Sequence, residues 1–118
     1  MRIVTLELLK RHVRADDLTT EDGYLAHVLE AAQRQVLDHL GWTDDELAVI
    51  PDGEWPASVA HAVLLRAGTM YAYREDVDNG SLSPLPYGLT ALLKPYRKMR
   101  GGSVMERVLA RYRKEEEG

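Results

Sequence analysis

The segment from Ala57 to Glu75 constrains the fold of this 118-residue chain more than any other. Pro56 precedes it and suits the first turn of a helix, where a missing N–H costs little. Within it, Val59, Ala60, Ala62, Val63, Leu64, Leu65, Ala67, Met70, Tyr71, Ala72 and Tyr73 spread over nearly the whole helical circumference. A helix apolar on every side has to be covered on every side. Either it is the central helix of its own bundle, or a partner subunit covers what a few short neighbours leave open. A partner is the more economical reading for a chain of this size.

The flanking sequence also reads as helices in series, because Thr and the β-branched residues never alternate over a useful length. Thr5 is the expected N-cap of a first helix over about Leu6 to Val13. A connection over Arg14 to Leu18 follows. Thr19-Thr20-Glu21-Asp22 then opens a long helix, with hydroxyls before early acids. Leu25, Val28, Leu29, Ala32, Val36 and Leu40 form its apolar stripe, and Gly41 ends it. Trp42 to Pro56 reads as a surface loop anchored by Trp42 and Trp55, although Thr43-Asp44-Asp45-Glu46 has the pattern of a short capped turn. After a turn-rich stretch from Asp76 to Pro86, a short helix is expected over Leu89 to Leu93, limited by Pro95. Arg100-Gly101-Gly102 is a hinge. Ser103 and Glu106 have capping-box spacing for a last helix, with Val104, Met105, Val108, Leu109 and Tyr112 on one face. The expected fold class is all-α: a bundle of about four or five helices with a C-terminal helical extension.

Composition narrows the function by exclusion. The chain has no cysteine, which removes disulfides, thiolate metal sites and thiol nucleophiles. No signal peptide and no run of about 20 apolar residues is visible, so a soluble intracellular protein without a membrane partner is expected. The net charge of −4 does not suit a dedicated nucleic-acid binder. Its distribution is uneven. Gly41 to Gly80 holds eight acidic and two basic residues, whereas Lys94 to Lys114 holds eight basic residues and one acid. Such an asymmetry could steer subunits that meet head to side, or be plain solvated surface.

Catalytic and ligand-binding patterns are missing. His12, His27, His39 and His61 have no ligand-like spacing to one another or to carboxylates. None of the serines sits in a nucleophile elbow. Asp76-Val77-Asp78-Asn79-Gly80 resembles a calcium loop only in its first residues, since Ser81 and Tyr87 stand where glycine and a carboxylate are required. Arg100-Gly101-Gly102-Ser103 is too short for a phosphate loop. The connection from Gly41 to Pro56 is too long for a helix-turn-helix. We therefore expect no enzyme activity and no cofactor.

One stretch is specific. Tyr73-Arg74-Glu75, a short acidic loop, Leu85-Pro86-Tyr87-Gly88-Leu89, and Leu92-Leu93-Lys94-Pro95-Tyr96-Arg97 follow in order. Together they resemble the signature of the phage head–tail connector family. Val4-Thr5-Leu6-Glu7 with Lys10, His12, Val13 and Arg14 resembles that family's opening helix, and Tyr24-Leu25 with Ala31-Ala32 its second. The resemblance covers about residues 3 to 97, so a connector domain over 1–97 and an extension over 98–118 are expected. Many family members stop near the Pro-Tyr-Arg, and the extension inherits no role from them.

The resemblance implies a virion structural protein, assembled in host cytoplasm into a cyclic ring, commonly of twelve copies, beneath the portal protein. Such a ring extends the DNA channel, through which DNA passes without sequence-specific binding, and meets a stopper or tail-completion protein. On that footing Leu65, Met70, Tyr73, Arg74, Glu75 and Arg97 are candidates for the oligomer interface. Arg74 and Glu75 would form ion pairs across or within subunits, Arg97 would bond back to that acidic helix end, and Tyr96 would pack under it. Asp76, Asp78 and Asn79 are candidates for a loop facing the channel, where acid repels phosphate and lets DNA slide. Val104, Met105, Val108, Leu109 and Tyr112 are candidates for docking on portal or tail proteins; the alternative is an arm folded back on its own core. A reading from another class is a small helical regulator or nucleic-acid-associated adaptor that dimerises through the apolar helix.

Overall fold

The computed structural model describes residues 1–15, 20–73 and 84–117, with side chains up to residue 113. Among them are six α-helices and no strand: α1 Leu6–His12, α2 Asp22–Leu40, α3 Asp44–Leu47, α4 Ala57–Ala72, α5 Tyr87–Leu93 and α6 Val104–Glu117, with a 3-10 turn at Lys94–Tyr96 after α5. The all-α expectation holds.

α1 begins as its sequence dictates, with the Thr5 hydroxyl accepting from the Leu8 N–H at 3.2 Å. α2 begins differently: its N-cap is Glu21, with no side-chain cap, so the expected hydroxyl cap is not used. It ends as expected on Gly41, whose φ of +80° is the left-handed conformation that glycine adopts without strain. The segment after Gly41 holds a real helix and not merely a loop. α3 carries a complete capping box, in which Thr43 Oγ1 accepts from the Glu46 N–H and Glu46 Oε1 accepts from the Thr43 N–H. α5 starts at Tyr87, two residues before the expected Leu89, with Pro86 as N-cap.

α4 runs through the middle and packs against α1, α2 and α5. Val59, Ala62, Val63, Arg66, Ala67 and Met70 form its buried stripe. α2 answers with Leu25, Val28, Ala32, Val36, Leu37 and Leu40. The pairing is antiparallel. Val36, Leu37 and Leu40 share one core cluster with Val59, Ala62 and Val63, whereas Leu25, Val28 and Ala32 share another with Leu9, Ala67 and Met70. Burial of each large aliphatic side chain is worth about 1.5–3 kcal/mol. These two stripes therefore supply much of the driving force that offsets chain entropy.

The chain thus covers most of its own central helix. Leu64 packs against both clusters, and beyond the exposed first residue, Ala57, a strip through His61, Leu65, Thr69, Ala72 and Tyr73 faces outward. The one charged member of the buried stripe, Arg66, is 2% exposed and donates from Nε to Gln35 Oε1 at 2.6 Å. That bond satisfies one of the guanidinium's five N–H donors, each of which would be costly to bury unbonded.

The N-terminal residues are tied to α2. Gln33 accepts from the Ile3 N–H at 3.0 Å and donates to the Met1 carbonyl at 2.8 Å, and Ile3 and Val4 are buried. At the other end of the chain, Met105 and Leu109 of α6 are fully buried in the larger cluster. Through these residues, with Val108 and Tyr112 beside them, α6 is packed on the same core as the helices before it.

Candidate functional site

Two features of the fold can do more than hold it together: a clamp at the end of α2, and the outward strip of α4. The clamp is made by the last residues of the Leu-Leu-Lys-Pro-Tyr-Arg stretch and by Lys98, which follows it. The final carbonyls of a helix have no partner inside it and carry its partial negative charge. Here the Lys98 N–H donates to the Leu40 carbonyl at 2.8 Å, and Arg97 Nε donates to the His39 carbonyl at 3.0 Å. Trp42, just past the turn, donates from Nε1 to the Tyr96 carbonyl at 2.9 Å. Lys98 Nζ closes the arrangement, 3.0 Å from Glu46 Oε2 and 5.3 Å from the centre of the Trp42 ring. Residues 96–98 thus join the end of α5 to the α2–α3 corner.

The Thr43 backbone N–H first, and the Lys98 ammonium second, hold the Glu46 carboxyl below the ordinary carboxylate range. His39 lies in the same last turn of α2. Burial first, and the Arg97 charge second, push its imidazole below the ordinary value, and its Nε2 has no hydrogen-bond partner. A lowered folded-state pKa means that the unfolded chain takes up the proton first. His39 therefore contributes stability above about pH 6.5, and loses it as the pH falls through the folded-state value. Thermal melts between pH 7.5 and 5.5 should show a declining midpoint, and His39→Gln should flatten that slope. An unchanged slope would remove His39 as its source.

The outward strip of α4 lies between two shallow apolar grooves. One is bounded by His12, Val13 and Gly68, the other by Pro86, Leu89 and Leu92, and Leu65 and Thr69 border both. Tyr73 stands at the helix exit, 66% exposed, and Tyr87 at the start of α5 is 87% exposed. Thr69 spends its hydroxyl on the Leu65 carbonyl at 3.0 Å, which leaves the strip without a free donor there. Two large tyrosines and a half-buried leucine around apolar grooves form a surface suited to packing against another protein.

The interface candidates fare unevenly. Leu65 and Tyr73 are on this strip. Met70 is not: at 1% exposure it faces inward among Leu9, Leu25 and Val28, and it leaves the interface set. Arg97 is at the clamp and not at the exit of α4. α4 is antiparallel to α2, so the end of α2 lies beside the start of α4, roughly 24 Å along that helix from its exit. Tyr96 is half-buried against the larger cluster. Arg74 and Glu75, and the candidate channel loop Asp76, Asp78 and Asn79, lie outside the described residues.

The candidate docking face of α6 is turned inward. Met105 and Leu109 are fully buried, and Val108 and Tyr112 are packed against the core, while Val104 remains 38% exposed. The arm has folded back on its own subunit, and Arg107 and Arg111 face solvent. The uneven charge along the sequence is also partly consumed within the subunit, where Lys98 of the basic end pairs with Glu46, and Asp44 of the acidic middle pairs with Arg34. Sequence reasoning missed Trp42, Glu46 and Lys98 as clamp residues. Only the capping box at Thr43–Glu46 gave a local signal. Among the described residues no group of histidines and carboxylates could hold a metal ion, and no helix is long and apolar enough to cross a membrane.

Comparison with known proteins gives one match. The family model described as "Phage gp6-like head-tail connector protein" fits residues 3–97. No curated protein and no solved structure matches the chain. The matched region starts at the first buried residue, Ile3, and ends on Arg97 of the clamp. It therefore takes in both helical stripes and the whole outward strip of α4, and stops short of the glycine hinge and α6. The chain belongs to the gp6-like phage head–tail connector family, a family of structural and not catalytic proteins.

Proposed function

We propose that this chain is one subunit of a cyclic ring, commonly of twelve, that sits below the portal, extends the DNA channel and joins the head to a stopper or tail-completion protein. The reading places it in the virion at the head–tail junction, after assembly in the host cytoplasm. The observation that carries it is the family match over the entire α1–α5 bundle. The outward strip of α4 adds a physical reason. Leu65 and Tyr73 offer apolar area on the one side of the central helix that the subunit leaves open. A ring subunit needs two different faces that meet head to tail, and closure uses every one of them.

The experiment is light scattering over a wide concentration range, alone and with the portal protein of the same phage, together with negative-stain imaging. Rings support the reading. A concentration-independent dimer that shifts duplex DNA would sink it in favour of a dimeric regulator. The paired substitution Leu65→Glu with Tyr73→Ser tests the interface. Loss of central apolar contacts worth about 2 kcal/mol corresponds to roughly 30-fold weaker association. Circular dichroism should show the helix content retained, since Tyr73 is exposed and Leu65 only half-buried. Unchanged assembly would move the interface off α4.

A further inference from the structure

We infer that α6 is an exchangeable arm: in the assembled state its anchors, Met105 and Leu109, fill the groove over the larger cluster, beside the Lys94–Tyr96 turn, of a neighbouring copy and not their own. The inference rests on the ring reading, and it concerns residues 98–118, which the family match does not reach.

The closed form supplies the occupant, because Met105 and Leu109 of α6 already fit this groove. Its hold is narrow. Met105 and Leu109 are fully buried, and Val108 and Tyr112 flank them, while the opposite face carries Arg107, Ala110 and Arg111 in solvent. The polar tie from the Tyr112 hydroxyl to Glu54 Oε1 is long, at 3.5 Å. The root of the arm is the opposite. Lys98 is fixed to the body through the Leu40 carbonyl and Glu46.

Between the fixed root and the narrow hold lies a turn that can open. Gly101 and Gly102 have φ of +91° and +96°, and an added Cβ on either would meet nothing within 4 Å. Packing does not require glycine at either position; the left-handed backbone does. That turn folds the arm back. Opened, the five residues from Met99 to Ser103 span up to about 17 Å, and the anchors lie a further turn or two along α6, each turn about 5 Å. The total matches the shorter dimensions of the subunit, 28 and 20 Å, so a neighbour packed side by side is within reach.

Exchange repeats the same buried contact between chains instead of within one, so little packing is lost when the hinge opens. It also favours closure. In an open chain of subunits one arm and one groove would stay exposed at the ends, and in a ring none does.

The absence of cysteine makes the test clean, because introduced thiols are then the only ones. Full-length Glu54→Cys and full-length Tyr112→Cys chains are mixed, assembled and treated with a short bismaleimide. A covalent dimer that contains one of each variant, absent from the dilute monomer and from either variant alone, is the expected result. Assemblies that give no such dimer, while the doubly substituted chain links within itself, overturn the exchange and leave the ring standing. If no assembly forms at any concentration or with portal, the ring reading fails and the exchange with it.

A second variant guards against disturbance at the tie. Alanine at both Gly101 and Gly102 strains the closed turn but not an open one, so half-assembly should need roughly ten- to a hundredfold less protein. Half-assembly at the same or a higher concentration would count against exchange.

Discussion

Replacing Trp42 with alanine should remove about 3–5 kcal/mol of folding stability, the range for deleting a buried tryptophan side chain. Trp42 is 6% exposed in the larger cluster, so its loss opens a cavity where α2, α3 and the 3-10 turn meet. It also orphans the Tyr96 carbonyl, which now accepts the indole N–H. Trp42→Phe separates the two effects. Most of the apolar area is kept, and the missing donor alone costs about 1–3 kcal/mol. Trp55 is the internal control. It is equally buried, but its Nε1 has no hydrogen-bond partner, so Trp55→Phe removes an unsatisfied group and should be near neutral. Urea midpoints measure all three. Equal losses for the two phenylalanine variants would mean that the bond to Tyr96 does not support the clamp.

The contrast between the two tryptophans illustrates what the sequence could and could not disclose. Local chemistry was legible. The α2 stripe, the left-handed stop at Gly41 and the Thr5 cap follow from spacing and residue type, and each is present. The capping box of α3 was equally local, and its weight was underestimated because Gly41–Pro56 is rich in turn residues. Pairings across the chain were not legible. Trp42 meets Tyr96, and Glu46 meets Lys98, across more than fifty residues, and periodicity carries no information about which distant residues meet.

The same limit governs the central helix. Its apolar circumference showed that α4 must be covered, but not by which atoms. The answer was mostly α1, α2 and α5 of the same chain, and that moved Met70 from interface to core. Membership in the connector family means that the protein works among other phage head and tail proteins. On α4 the subunit itself leaves open the strip at Leu65 and Tyr73.

The expected division at residue 97 leads to the second large effect. The family match ends there, and on that basis a chain truncated after Lys98 should fold as a complete connector domain. The packing predicts the reverse. Truncation withdraws Met105 and Leu109 from the core, and each fully buried side chain is worth about 1.5–3 kcal/mol. The loss of about 3–6 kcal/mol is a large share of the 5–15 kcal/mol typical of a whole domain. Val108 and Tyr112, which also leave, push the figure towards its upper end. The truncated chain should therefore unfold at a much lower urea concentration and bind a hydrophobic dye at its exposed groove. Leu109→Ala in the full chain should show a graded form of the same loss, about 2–5 kcal/mol. If the truncated chain instead kept the full-length midpoint, α6 would contribute nothing to the fold, and its burial would be incidental. A large loss on truncation, together with transfer of α6 between copies on assembly, would mean that residues outside the family match complete each subunit's core and also link the subunits to one another.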